Sequence, residues 1–154
     1  IKNNEPLTIT NENMTRFLMT LEESVELVLF ALLHGDHGDI FIQKSSACTI
    51  GLLAQALIEL TNSNSKIKLI GTRHGEKLFE SLVSSEEMAK AVDLGKYYKI
   101  PMDGRNLNYS KYEHSGESVN DENNAYTSHN TTRLNLELIK NKLFELKLIK
   151  DFVQ

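Results

Sequence analysis

Ile67-Lys68-Leu69-Ile70-Gly71-Thr72-Arg73-His74-Gly75-Glu76-Lys77 reads as a strand that runs into a glycine-bracketed turn. Ile67 to Ile70 is short, apolar and closed by glycine, the pattern of a buried strand. Glycine at 71 and 75 permits positive φ and lets backbone approach a ligand closely. Arg73 offers a planar fork of donors that matches phosphate oxygens, and Glu76 a carboxylate able to accept from two vicinal hydroxyls. That pair suits a sugar nucleotide, whose diphosphate and ribose diol lie side by side. A plain surface turn, in which Arg73 and Glu76 pair with each other, uses the same residues, and local chemistry leaves both readings open.

Two better-known phosphate motifs are excluded. A P-loop needs four residues between its glycines and a lysine directly after the second; here three intervene and Glu76 precedes Lys77. The eight glycines never fall at G-x-G-x-x-G spacing, so this chain does not hold a dinucleotide by the usual fingerprint.

Upstream of the turn, Leu7-Thr8-Ile9 is β-prone, Asn11 to Asn13 is a turn cluster, and Met14 to Met19 reads as a second extended segment. Thr20 to Glu23 matches a capping box for a helix whose apolar positions are Leu21, Val25, Val28, Leu29 and Leu32, with Gly35 as its stop. Asp39 to Gln43 predicts a strand buried on at least one side. Ser45 or Ser46 is placed to cap a second helix with Ile50, Leu53, Ala54, Leu57 and Ile58 on its core face, and Asn62 to Ser65 forms the following loop. The order strand, helix, strand, helix, strand predicts an α/β fold.

Downstream, Leu78 to Val83 fits strand or helix equally. Ser84-Ser85-Glu86-Glu87 is a second capping box, for a helix to about Leu94, and Tyr97 to Ile100 reads extended up to Pro101. Residues 103–133 read as a polar extension, either lying on another surface or partly disordered, and the spacing of Leu136, Ile139, Leu143 and Leu146 predicts an amphipathic helix over 134–154. The chain thus divides into an α/β region over 1–102, the extension, and the closing helix.

With 154 residues, 40% of them apolar, the chain can bury a core. A formal charge of -4, from 17 basic and 21 acidic residues that are scattered rather than blocked, argues against nucleic-acid binding and makes any anion site local. No apolar run reaches the ~20 residues that span a bilayer, and the start is not a signal peptide, so a cytoplasmic location is expected. The one cysteine, Cys48, reads as a small core or helix-start residue rather than a nucleophile, and the five histidines show no metal spacing. The chain opens without methionine and uncapped, which predicts a fragment.

Arg16 is the second candidate site residue. It stands in an otherwise apolar stretch, where a charge requires a partner. A nearby glutamate and a ligand phosphate both satisfy that demand. No nucleophile, base and orienter occur as a set, so no catalytic residue is nominated: the residues describe a binding half.

Six blocks occur in order: Pro6 to Asn11, Met14 to Phe17, Gly38 to Phe41, Gly71 to Leu78, Asp103 to Tyr109 and Tyr126 to Asn130. Together they resemble the C-terminal part of the UDP-N-acetylglucosamine 4,6-dehydratases (C5-inverting) and capsular relatives of polysaccharide biosynthesis, lyases among the extended short-chain dehydrogenase/reductases. The resemblance implies that Arg16 and Arg73 contact the substrate diphosphate and that Glu76 binds the uridine ribose. It implies that the extension can contact a neighbouring subunit of a homo-oligomer, although Tyr112-Glu113-His114 departs from the aromatic expected there. It further implies a Rossmann domain upstream, which this chain lacks, holding NADP and the catalytic residues, so that the chain is inactive alone. NADP would remove hydride from the sugar C4, water would leave across C5 and C6, and hydride would return at C6. A UDP-sugar 4-epimerase is the alternative within the superfamily, and a stand-alone binding or assembly module the alternative outside it.

Overall fold

The computed structural model describes residues 1, 3, 5–102 and 125–153, apart from the side chains of 151–153. In chain order the elements are β1 (Leu7–Ile9), β2 (Thr15–Phe17), α1 (Leu21–His34), β3 (Ile40–Gln43), β4 (Ala47–Thr49), α2 (Ile50–Leu60) and β5 (Ile67–Leu69). There follow β6 (Ser81–Val83), α3 (Ser85–Met88), β7 (Val92–Asp93), β8 (Tyr97–Ile100), β9 (Tyr126–Thr127), α4 (Leu136–Phe144) and α5 (Lys147–Val153). The α/β mixture is as expected, built from small sheets rather than one large one. Two compact units share it, each made of separate segments: Ile1–Thr20, Ser45–Glu80 and Thr127–Gln154 in the first, Leu21–Lys44 and Ser81–Tyr126 in the second.

In the first unit β1 and β5 pair in parallel, Leu7 with Ile67 and Ile9 with Leu69, and the Ile70 N–H donates to the Ile9 carbonyl at 2.9 Å. β2 and β4 pair antiparallel, Arg16 opposite Cys48. α2 and α4 enclose the core: Cys48, Ala56 and Ile139 are buried, with Leu52, Leu53, Leu134, Leu136 and Leu143 around them. Burial of a side chain such as Ile139 contributes roughly 1.5–3 kcal/mol. Lys140 of α4 forms an ion pair with Glu59 of α2 across this packing. The Asn135 side chain caps α4 by accepting from the Leu138 N–H at 2.9 Å.

In the second unit β3, β8 and β7 form an antiparallel sheet, and the Phe30 ring of α1 packs on Phe41 and Tyr97, centroids 5.7 and 4.5 Å apart. The Ser84 capping box is present with both of its bonds: the Ser84 N–H donates to Glu87 Oε2 at 2.8 Å, and the Glu87 N–H to Ser84 Oγ at 3.3 Å.

Several expectations change. The apolar stripe of α1 faces outward, Leu21 at 74% and Leu32 at 78% exposure, because the helix packs through Phe30 instead. β5 is exposed rather than buried, since β1 is its one partner in a two-stranded sheet. Ser45 and Ser46 do not cap α2: the chain first forms β4, and Thr49 accepts from the Leu52 N–H at 3.2 Å. On α2 the buried positions are Ala54 and Ala56. α3 ends at Met88, not near Leu94, and the closing helix is two, α4 and α5. The extension expected over 103–133 lies mostly outside the described residues. Among the described residues no helix is long and apolar enough to cross a membrane.

Candidate functional site

Beyond β5 the chain enters the Gly71 to Lys77 turn. Gly71 and Gly75 have φ of 82° and 80°, left-handed values that a β-carbon disfavours, and each opens on free space, so backbone angle rather than room requires glycine. The turn is held by Glu76. Its Oε2 accepts from the Arg73 N–H at 3.1 Å, its Oε1 accepts from the Thr10 hydroxyl just past β1 at 2.9 Å, and its own N–H donates to the Arg73 carbonyl at 3.1 Å. The Arg73 amide first, then the Thr10 hydroxyl, hold the Glu76 carboxyl below the usual glutamate range, helped by the positive charges of Arg16 and Arg73. Each carboxylate oxygen retains a lone pair for a further donor.

Arg73 and Glu76 therefore meet through Arg73's backbone and not as the side-chain ion pair of a plain surface turn. The Arg73 side chain is exposed. No ion pair to it occurs among the described residues.

Arg16 leaves β2 and reaches the same turn. Nη2 donates to the Lys77 carbonyl at 3.0 Å and to Met14 Sδ at 2.9 Å, Nη1 donates to the Thr15 carbonyl at 2.7 Å, and Nε lies 3.5 Å from Glu80 Oε1. An arginine carries five N–H groups, and among the described residues these contacts leave one on Nη1 uncommitted. The glutamate partner considered for Arg16 thus exists, and so does its approach to the Arg73 turn: the structure brings Arg16, Arg73 and Glu76 into one neighbourhood.

Sequence reasoning missed what fixes that neighbourhood. Ser128, fully buried, donates through its hydroxyl to the Thr15 carbonyl at 3.1 Å and accepts from the Glu80 N–H at 3.0 Å; its own N–H donates to the Glu80 carbonyl at 2.8 Å. Thr15 Oγ1 lies 2.8 Å from Ser128 Oγ and 3.0 Å from His129 Nδ1, and the Thr15 N–H donates to the Leu78 carbonyl at 2.9 Å. This knot sets β2 against the segment that follows the turn. The one signal available beforehand was that Ser128 falls in the Tyr126 to Asn130 block.

His129 packs on Phe79 at 5.2 Å between centroids, and among the described residues no three histidines, cysteines or carboxylates converge as metal ligands. Cys48 is the expected core residue: burial pushes its thiol up to about 11 against the opposing charge of Arg133. The neighbourhood as a whole offers one exposed arginine, a second arginine bonded to the end of the turn and an ionised carboxylate with acceptor capacity. That set can grip an anion beside a diol.

A family model described as polysaccharide biosynthesis protein matches residues 1–102, and one described as polysaccharide biosynthesis protein C-terminal matches 103–150. A UDP-glucose 4-epimerase from Rickettsia bellii (strain OSU 85-389) is 62% identical over 154 residues, all of this chain and 44% of that protein. The protein of the same name from Rickettsia akari (strain Hartford) is 60% identical over 151 residues, 98% of this chain and again 44% of its own length. The chain spans less than half the length of these curated relatives. Among solved structures, the X-ray structure of Pen from Bacillus thuringiensis superposes with a TM-score of 0.72 at 27% identity, covering 94% of this chain and 41% of that one. These matches support the expected placement among the extended short-chain dehydrogenase/reductases, and the chain belongs to the polysaccharide biosynthesis protein family.

Proposed function

We propose that this chain is the UDP-sugar-binding portion of a nucleotide-sugar enzyme, with Arg73 and Arg16 facing the diphosphate and Glu76 accepting from the ribose diol. The observation that carries the reading is the 3.0 Å bond from Arg16 Nη2 to the Lys77 carbonyl, which ties one arginine to the turn bearing the other. Arg73 supplies the open fork, Arg16 a fixed charge, and Glu76 the acceptors left over from holding the turn. Binding UDP at a distance from the reacting carbons orients the hexose for chemistry elsewhere in the protein.

For that chemistry we place 4-epimerisation first, because relatives carrying that name are 62% identical along the whole chain. The 4,6-dehydratase reading stands second, supported by the ordered sequence blocks. Either reaction calls for a nicotinamide cofactor that moves hydride at the sugar C4. NADP does not fit this chain's own residues, whose glycines never take the dinucleotide spacing, and no hydride step is assigned to any of them. The same reading puts the cofactor on a separate Rossmann domain, the protein in the cytoplasm with its UDP-sugar supply, and the 103–133 extension at a subunit contact.

Two measurements test this. Titration with UDP and with 2′-deoxy-UDP should show weaker binding of the deoxy form in wild type and a smaller difference in Glu76→Gln; equal affinities in wild type contradict the diol role. Incubation of the whole protein with UDP-glucose and UDP-N-acetylglucosamine should yield the C4 epimer. A 4-keto-6-deoxy product would replace the first reaction by the second, and no conversion of either would contradict both.

A further inference from the structure

The Thr15, Ser128 and Glu80 knot does more than join two segments. Glu80 is bonded to Ser128 through both its N–H and its carbonyl, and Ser128 is bonded to Thr15, the residue before Arg16. The backbone beneath Arg16 and beneath Glu80 is therefore fixed by one buried hydroxyl.

The pairing of Arg16 with Glu80 is weak by geometry. A single contact of 3.5 Å joins Arg16 Nε to Glu80 Oε1, and the Glu80 side chain is 49% exposed. The other partners of Arg16 are the Thr15 and Lys77 carbonyls and the Met14 thioether, all uncharged. Among the described residues Glu80 is thus the one carboxylate within ion-pair distance of the guanidinium, and it covers Nε, one of the two N–H groups that the carbonyls and the thioether leave for an anion.

We propose that Glu80 is an anion gate: it occupies Arg16 when the site is empty and is displaced when a diphosphate, held also by Arg73, arrives. This rests on the UDP reading above for its ligand class. A single-pronged, half-exposed ion pair is worth little in water, so a ligand gripped by two arginines exchanges it readily. An anion held by Arg16 alone meets the Glu80 charge without compensation, and the gate selects diphosphates over lesser anions.

The test is isothermal titration of the whole protein, wild type and Glu80→Gln, with UDP, inorganic pyrophosphate and inorganic phosphate at low and high salt. Glu80→Gln keeps the shape of the side chain and both backbone bonds to Ser128, and Glu80→Ala serves as a second variant. Removing one opposing surface charge should tighten pyrophosphate and UDP by about 3- to 10-fold, less at 1 M salt where surface charges are screened, and should make phosphate binding measurable. A merely structural residue does not tighten a ligand when replaced. Unchanged or weaker pyrophosphate binding in both variants, or none at all, overturns the gate. Arg73→Ala, measured alongside, separates the two ideas. If it loses UDP affinity while Glu80→Gln has no effect, the gate fails and the UDP site stands. If Glu80→Gln tightens pyrophosphate while Arg73→Ala leaves UDP unchanged, Glu80 gates Arg16 alone, and both the two-arginine grip and the UDP clamp fail.

Discussion

Replacing Ser128 by alanine removes one oxygen and tests whether the buried knot organises the site. That hydroxyl meets the Thr15 carbonyl, Thr15 Oγ1 and the Glu80 N–H. The partners fare differently. The Thr15 carbonyl keeps the Arg16 Nη1 bond, and Thr15 Oγ1 keeps His129 Nδ1. The Glu80 N–H has no other acceptor among the described residues, so one donor is stripped, the Thr15 hydroxyl loses the oxygen it donates to, and the Thr15 carbonyl is merely thinned. At 0.5–1.5 kcal/mol for an ordinary bond and 1–3 for a stranded group, the sum is about 1.5–4.5 kcal/mol of stability, and the part-buried setting of the Glu80 N–H puts the loss in the lower half of that range. Urea unfolding should show that loss as a lower midpoint at unchanged slope, with weaker UDP binding as Arg16 loses its footing. Thr15→Val closes a double-mutant cycle, in which the two replacements together should cost less than their sum. A loss under about 0.5 kcal/mol for Ser128→Ala, against that expectation, or strict additivity with Thr15→Val, refutes the reasoning.

Gly75→Ala should cost about 1–2 kcal/mol from its left-handed φ of 80° alone, because open space surrounds it. Gly75→Asn, measured by the same unfolding curves, should cost less. Since folding lowers the pKa of Glu76, its ionised form is the one that folding favours. Its contribution is complete above the ordinary glutamate value of about 4.3 and disappears as pH falls through the lowered one. Stability of Glu76→Gln should therefore fall less steeply than wild type between about pH 5 and pH 3. Cys48, with its thiol raised to about 11, should resist a disulfide reagent at pH 8 in the folded protein and react once urea is added.

What could be read beforehand was local. The strands at Leu7–Ile9, Ile40–Gln43, Ile67–Leu69 and Tyr97–Ile100 carry their own limits in turn residues, and the Ser84 capping box closes within four residues. Arg73 and Glu76 were visible for the same reason, three positions apart on one turn. Features set by distant partners were hidden. β4 looked like the first turn of a helix capped by Ser45 or Ser46, because the strand that makes it a strand, β2, lies far upstream. Periodicity found the apolar stripe of α1 but could not say that Phe30 would choose the opposite face. α3 stops early because the chain turns at Gly95, φ 82°, to pair β7 with β8. Glu80 and Ser128 have unremarkable neighbours in sequence, and their roles exist only once β2 and the residues after β9 come together.

The UDP clamp stands or falls on the UDP affinity of the whole protein before and after Arg73→Ala. Arg73 has no ion-pair partner among the described residues, so its replacement leaves the fold alone, and under the proposed clamp it removes a contact to the diphosphate. A charge-assisted bond of 1.5–3 kcal/mol predicts a dissociation constant raised about 10- to 150-fold, with an unchanged unfolding midpoint. An unchanged dissociation constant would contradict the clamp.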